Sequence, residues 1–186
     1  MQTTSLSDAQ LVLASAADPT AFGQVFDRHA RTVFSFASRR VGSEVAKDVT
    51  AETFSIAFER RARFDPDRGA VLPWLLGIAT NVVRNHRRAE RRQLRLTLGA
   101  DVVHDEVEDR LDAAAAAPTL ARALSALKPG DRDALLLFAW TPLGYDGIAQ
   151  ALGIPPGTVG SRLSRARQIL RAELHRCGWT MEPEED

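Results

Sequence analysis

The 186-residue sequence holds a single cysteine, Cys177, so an internal disulfide and a cysteine-built zinc site are both excluded. That residue reads as an ordinary thiol near a helix end. The four histidines, His29, His86, His104 and His175, show no metal-ligand spacing, and no metal is expected. Aromatic residues make up only 6% of the chain. Hydrophobic residues reach 45% but never gather into a run long enough to span a bilayer. The first residues lack the basic start and apolar run of a secretory signal, so a cytoplasmic, soluble protein with no membrane partner is expected. No nucleophile–base pair, phosphate-binding glycine loop or metal cluster stands out. The sequence therefore predicts no catalytic residue, no cofactor and no small-molecule substrate. The polar trio His104, Asp105 and Glu106 reads as a solvating stretch.

Charge of one net sign is missing too: 24 basic residues balance 24 acidic ones. The zero total hides a segregation. From Arg84 to Arg95 six arginines face one acid, Glu90, and from Asp101 to Ala117 six acids face one arginine, Arg110. From Gly160 to Arg176 five arginines face only Glu173, and the last five residues include four acids. Two basic surfaces separated by an acidic stretch are implied, and a neutral sum says nothing against an anionic partner.

Strand alternation is absent throughout, and the pattern reads as helices. Ser7 and Gln10 are placed as a capping box for a first helix through Leu11 and Leu13. Asp18-Pro19 has the chemistry to open a second, which carries Phe22, Val25, Phe26, His29, Val33, Phe34 and Ala37 and runs to about Arg40. His29 reads as a satisfied, semi-buried side chain. Gly42 and Ser43 break that helix before a third with Val45, Val49, Phe54, Ala57 and Phe58. Residues 65–72, with Pro66 and Gly69, predict a loop, and Pro73 the first turn of a fourth helix. Residues 97–118 are acidic, alanine-rich and end in a proline, which predicts a flexible linker with some helix in its alanine run. Leu120, Leu124 and Leu127 then resume the helical period. Pro129-Gly130 predicts a turn, with Asp131 capping a helix through Leu135, Leu136 and Phe138. An all-α fold of two small helical domains joined by a flexible acidic linker follows.

Two segments carry the functional signal. In the fourth helix Leu75, Ile78, Ala79 and Val82 share one face, while Asn81, Arg84, Asn85 and Arg88 share the next, extended by Arg91, Arg92 and Arg95. One stripe packs inward and the other offers guanidinium groups for phosphates and amides for base edges. Like charges four residues apart cost roughly 0.2–0.5 kcal/mol per pair, and acids are too few to offset them, so an anionic partner is implied. Farther on, residues 145–152 form a short helix with Ile148, Ala149 and Leu152 inward, and Gly153 stands where a left-handed turn residue is wanted. Pro156 opens the next helix, with Val159, Leu163, Ala166 and Leu170 inward and Thr158, Ser161, Arg162 and Arg165 on a polar face near its N-terminus. That is the layout of a helix-turn-helix whose second helix enters the major groove.

The string Gly157-Thr158-Val159-Gly160-Ser161-Arg162-Leu163-Ser164-Arg165-Ala166-Arg167 resembles the "GTVKSRLxRAR" signature of region four of the sigma-seventy family. Residues 124–136 (LSALKPGDRDALL) resemble the start of that region, with Arg132 at the family's arginine. Residues 48–54 (DVTAETF) resemble the "DxxQExF" segment of region two, and residues 73–81 (PWLLGIATN) its "WLxxIAxN". The likeness spans about residues 9–175 in the right order, and the short linker points to the extracytoplasmic-function group. It implies region two over residues 1–97, a linker over 98–118, region four over 119–176 and an acidic tail over 177–186. It implies core RNA polymerase (clamp and flap), promoter DNA and an anti-sigma factor as partners. Asp48, Glu52, Phe54 and Phe58 would dock on the clamp. Arg68, Asn81, Arg84, Asn85, Arg88, Arg91 and Arg92 would read and open the minus-ten element, with Trp74 as an anchor beneath the loop. Thr158, Ser161, Arg162 and Arg165 would read the minus-thirty-five element. The linker would thread a basic channel of polymerase or simply stay solvated.

Three departures stand out. Gly160 replaces a usual lysine or arginine, Gly147 a usual glutamate, and Lys128 a usual proline. Gly147 alone weakens its helix by about 1 kcal/mol relative to alanine, so weaker or altered minus-thirty-five binding is expected. A stand-alone helix-turn-helix regulator is the other reading; it accounts for residues 144–172 but leaves residues 48–58 and 73–95 without a role.

Overall fold

The computed structural model describes residues 6–98 and 118–176. Of the linker expected over residues 98–118, residues 99–117 lie outside them, as do the tail and Cys177. Every element among the described residues is helical.

Helix α1 (Asp8–Ala14) opens on the capping box: Gln10 N donates to Ser7 Oγ at 3.2 Å, and Ser7 N donates to Gln10 Oε1 at 2.8 Å. Helix α2 (Ala21–Val41) begins later than Asp18-Pro19 suggests. The Asp18 carboxylate accepts from the Thr20 amide at 3.0 Å and hydroxyl at 2.6 Å, a local turn that competes with helix at these residues. Gly42, at φ +79°, then ends α2 and starts α3 (Ser43–Arg60), a backbone angle that few other residues adopt. Of two 3-10 turns that follow, Arg61–Arg63 precedes the expected loop over residues 65–72 and Pro66–Arg68 lies within it. Helix α4 (Val71–Leu98) starts two residues before Pro73 and is the longest element.

These four helices enclose a core in which Leu11, Val25, Val33, Phe36, Leu75, Leu76 and Val83 are fully buried. Burying each such side chain stabilises by roughly 1.5–3 kcal/mol. Ring pairs tie α2 to α3, with Phe22 and Phe58 at 5.4 Å and Phe26 and Phe54 at 4.8 Å between centroids. The buried hydroxyls of Thr50, Thr53 and Thr80 donate to the carbonyl four residues back, so none is left unsatisfied.

The second group comprises α5 (Pro118–Ser125), α6 (Pro129–Trp140), α7 (Tyr145–Leu152) and α8 (Pro156–Arg176). Pro129 occupies the first turn of α6 instead of a separate turn, and the residue before the helix is Lys128, not Asp131. Gly153 at φ +62° turns the chain from α7 into α8, whose Val159, Leu163 and Ala166 pack inward. Helix α8 lies against α5, α6 and α7. The two groups are not held apart. Helix α4 packs on α7, and a Cβ on Gly77 would stand 2.5 Å from the Ala151 carbonyl oxygen, so only glycine permits this approach.

Candidate nucleic-acid and polymerase interfaces

Helix α4 separates its faces as its periodicity requires. Leu75, Leu76, Ile78, Ala79, Val82 and Val83 are buried, whereas Asn81, Arg84, Asn85, Arg88, Arg91 and Arg92 are all exposed. Arg68 is exposed on the second 3-10 turn, and beneath that loop the buried Phe64 ring tilts against Trp74 at 5.2 Å. The anchor expected of Trp74 is thus a ring pair. The outer half of α4 and the start of α6 bound a cleft of about 670 Å³. Arg84, Arg87, Arg88, Arg91, Arg92 and Arg95 line one side, and Pro129, Arg132 and Asp133 the other. Arg87 and Arg132 are engaged internally: Arg87 donates to the Arg40 carbonyl, and Arg132 to those of Ser125 and Leu127. Arg88, Arg91, Arg92 and Arg95 make no ion pair with a carboxylate of the described residues. Such a row is stabilised by a polyanion that it contacts through several phosphates at once.

Arg84 differs from its neighbours. Its Nε donates to Asp133 Oδ2 at 2.6 Å, and Asp133 also pairs with Arg40 Nη2 at 2.6 Å. Both Asp133 and Arg40 are almost wholly buried, while Arg84 keeps an exposed edge. A buried carboxylate shared by two guanidinium groups is a strongly constrained contact, because removing either partner strands a charge away from water.

On α8, Ser161 is exposed and Thr158 half-buried. The two arginines of this face are tied to α6. Arg162 Nη1 donates to the Gly130 carbonyl at 3.3 Å, and Arg165 binds buried Asp131 through Nη2 at 2.9 Å and Nε at 3.3 Å. The hydrogen bond and charge of Asp131 hold the Arg165 guanidinium even more firmly protonated than usual. Asp131 lies in the first turn of α6, where the helix dipole also favours a negative group. The Arg165 side chain stays 52% exposed despite this pairing. A Cβ on Gly160 would make ordinary contact with the Tyr145 ring at 3.8 Å, whereas Gly147 lies against Leu143 and Pro73 at the α4–α7 contact.

The α2–α3 face corrects one expectation. Asp48 and Glu52 are exposed, but Phe54 is only 6% exposed and sits in the core beside Phe26. Phe58 is half-buried between Phe22 and the Arg61 guanidinium, which lies 3.9 Å from its ring centre. Phe54 faces inward because it follows Val49, Thr50 and Thr53 on the packed side of α3. The ring this face presents is Phe26, 44% exposed, beside a shallow groove with Ala30, Phe34, Lys47 and Thr50. Its signal was the Phe26, Ala30, Phe34 stripe at four-residue steps, offset from the inward Val25, Val33 and Phe36. Arg40, Asp131, Asp133 and Gln150 were missed as well, since their partners are remote in sequence.

A helix-turn-helix with a basic face, combined with a second arginine-rich helix, is the arrangement of a DNA-binding protein. The description "Sigma-70 region 2" matches residues 25–93 and "Sigma-70, region 4" residues 119–170. The chain is 32% identical over 184 residues to the RNA polymerase sigma factor NccH of Alcaligenes xylosoxydans xylosoxydans, covering 91% of this chain and 95% of that one. It is 29% identical over 162 residues to the ECF RNA polymerase sigma factor BldN of Streptomyces coelicolor, covering 84% of this chain but spanning only 61% of that protein's length. Among solved structures, CnrH in complex with the cytosolic domain of CnrY superimposes with a TM-score of 0.64 at 29% identity, covering 91% of this chain and 97% of that one. The chain belongs to the sigma-70 family of RNA polymerase sigma factors, in its extracytoplasmic-function group.

Proposed function

We propose that this sigma factor directs core RNA polymerase to a defined set of promoters by reading two elements with two helices. Residues 1–97 bind the polymerase clamp and read the minus-ten element, residues 98–118 are the acidic linker, residues 119–176 read the minus-thirty-five element, and residues 177–186 are an acidic tail. Arg68, Asn81, Arg84, Asn85, Arg88, Arg91 and Arg92 carry minus-ten recognition. Thr158, Ser161, Arg162 and Arg165 carry minus-thirty-five recognition. Asp48 and Glu52, with Phe26 between helices, contact the clamp, and Phe54 and Phe58 support that face from within. An anti-sigma factor holds the protein inactive, as the pairing of the relative CnrH with CnrY suggests. The protein works in the cytoplasm and turns over no substrate of its own.

The observation that carries this reading is the row Arg88, Arg91, Arg92 and Arg95, which no described carboxylate neutralises, on the same helix as the amides of Asn81 and Asn85. Charge draws the helix to phosphates and the amides can choose among bases. Run-off transcription with core polymerase over a genomic promoter library tests it: transcripts from a small promoter set should appear only when the protein is added. No transcripts, together with tight operator binding by the free protein, would instead make it a stand-alone regulator.

A further inference from the structure

A buried carboxylate, Asp131, faces one side chain of helix α8. It stands in the first turn of α6, where a carboxylate ordinarily accepts from the unpaired backbone amides of the helix start. Both of its oxygens go to Arg165 instead, Oδ1 accepting from Nη2 at 2.9 Å and Oδ2 from Nε at 3.3 Å. The same turn of α6 is gripped a second time by α8. Arg162 Nη1 donates to the Gly130 carbonyl at 3.3 Å, and a Cβ on Gly130 would stand 2.8 Å from that nitrogen. Stability alone does not account for the Asp131–Arg165 pair. Helices α6 and α8 already pack together, with Val159, Leu163 and Ala166 of α8 buried. A buried ion pair generally stabilises no better than apolar residues of like size.

What the pair does fix is the guanidinium. Arginine carries two forks of parallel N–H donors, a side-on fork from Nε and Nη2 and an end-on fork from Nη1 and the second hydrogen of Nη2. Asp131 occupies the side-on fork, and Arg165 makes no other hydrogen bond to the described residues, although its side chain is half-exposed. We infer that Asp131 is the positioning residue of the minus-thirty-five reader, holding Arg165 so that its end-on fork reads a single guanine. The inference rests on the promoter-reading function proposed above. Of the four bases, only guanine offers two acceptors side by side in the major groove, O6 and N7. Adenine sets a donor beside its acceptor, and thymine sets a methyl group there. A fork held in one plane therefore selects guanine, whereas an arginine free to swing also satisfies itself on phosphates, which carry no sequence. Holding the fork in advance also removes the rotamer freedom that a loose arginine would lose on binding.

Holoenzyme assembled from core polymerase and the full-length chain tests this on promoter fragments randomised across the minus-thirty-five element, the bound fraction being sequenced. Wild type should prefer guanine at one position of the element by roughly tenfold. Asp131→Asn keeps the size of the side chain but removes its charge and one of its two acceptors. It should abolish most of that preference and leave the preferences at the other positions in place. Arg165→Lys keeps a cation that can still face Asp131 but has no fork, and should flatten the same position, so the test stands even where Asp131→Asn folds poorly. Combining the two substitutions should cost no more selectivity than either alone, because both remove one interaction. A guanine preference that survives in either single variant overturns the positioning role. A loss spread evenly over every position overturns it too, since a merely structural tie between α6 and α8 would act that way. The function it rests on fails separately: wild-type holoenzyme with no base preference anywhere in the element overturns promoter reading by α8 itself.

Discussion

Asp8 shows how a single side chain can fix a helix that is too short to hold alone. Helix α1 has seven residues, well below the length at which an isolated helix persists. Asp8 ties it to α2 by an ion pair with Arg28 at 2.7 Å and a contact with His29 Nε2 at 2.6 Å. Burial pushes the Asp8 carboxyl upward, but the hydrogen bonds from Arg28 and His29 and their charges outweigh it and leave the group below its ordinary value. A carboxyl that is more acidic in the folded state adds stability above the unfolded value, about pH 4, and loses it as the pH falls through the lowered folded value. Asp8→Asn should therefore lower the urea midpoint at neutral pH, with the gap to wild type narrowing below about pH 4. A gap that stays constant across that range would show that Asp8 acts by packing alone. Arg165 is the other instructive residue, since one edge serves Asp131 and the other faces outward. Arg165→Ala should reduce run-off transcription most at promoters with a strong minus-thirty-five element. Equal loss at every promoter would assign it to phosphate contact or to holding α6 on α8.

At the scale of elements, the division of labour between Phe26 and Phe54 gives a sharp test. Phe54 is core and Phe26 is surface, although the rings touch. Phe54→Ala should cost about 3–5 kcal/mol of stability, as core phenylalanines do. Phe26→Ala should leave the denaturation midpoint close to wild type while weakening co-purification with core polymerase. If Phe26→Ala bound core normally, the clamp contact would lie elsewhere on the chain. The same pair shows what could be read in advance. The helical character of the chain, the capping box at Ser7, the breaks at Gly42 and Gly153 and the inward stripe of α4 were all legible, because each follows from local spacing or backbone freedom. The outward arginines of α4 were legible for the same reason. Which of two adjacent faces of α3 turned inward was not, since its apolar residues are spread around the helix and the choice depends on the facing α2. Asp131 was misread as a cap because its partner, Arg165, comes 34 residues later and only the fold brings them together.

For the molecule as a whole, two arginines of the basic blocks meet carboxylates that lie outside the acidic blocks of the sequence, Arg84 with Asp133 and Arg165 with Asp131. Asp133 is spent on Arg40 and Arg84, and Asp131 on Arg165, while Arg88, Arg91, Arg92 and Arg95 on α4 meet no carboxylate of the described residues. Contact between the two helical groups has a thermodynamic consequence. Interfaces within a chain couple the unfolding of the parts they join, and the coupling here includes a buried carboxylate that satisfies an equally buried arginine. Unfolding α5–α8 alone would break the Arg40–Asp133 pair and the packing of α4 on α7 together. The wild-type protein should therefore melt in a single calorimetric transition. Asp133→Ala should remove the ion-pair part of that coupling, so the trace should split into two transitions. Gly77→Ala should split the trace as well, because its Cβ parts α4 from α7. Two transitions already present in the wild type would mean that the ion pair contributes no coupling, and that the groups fold and melt as separate bodies.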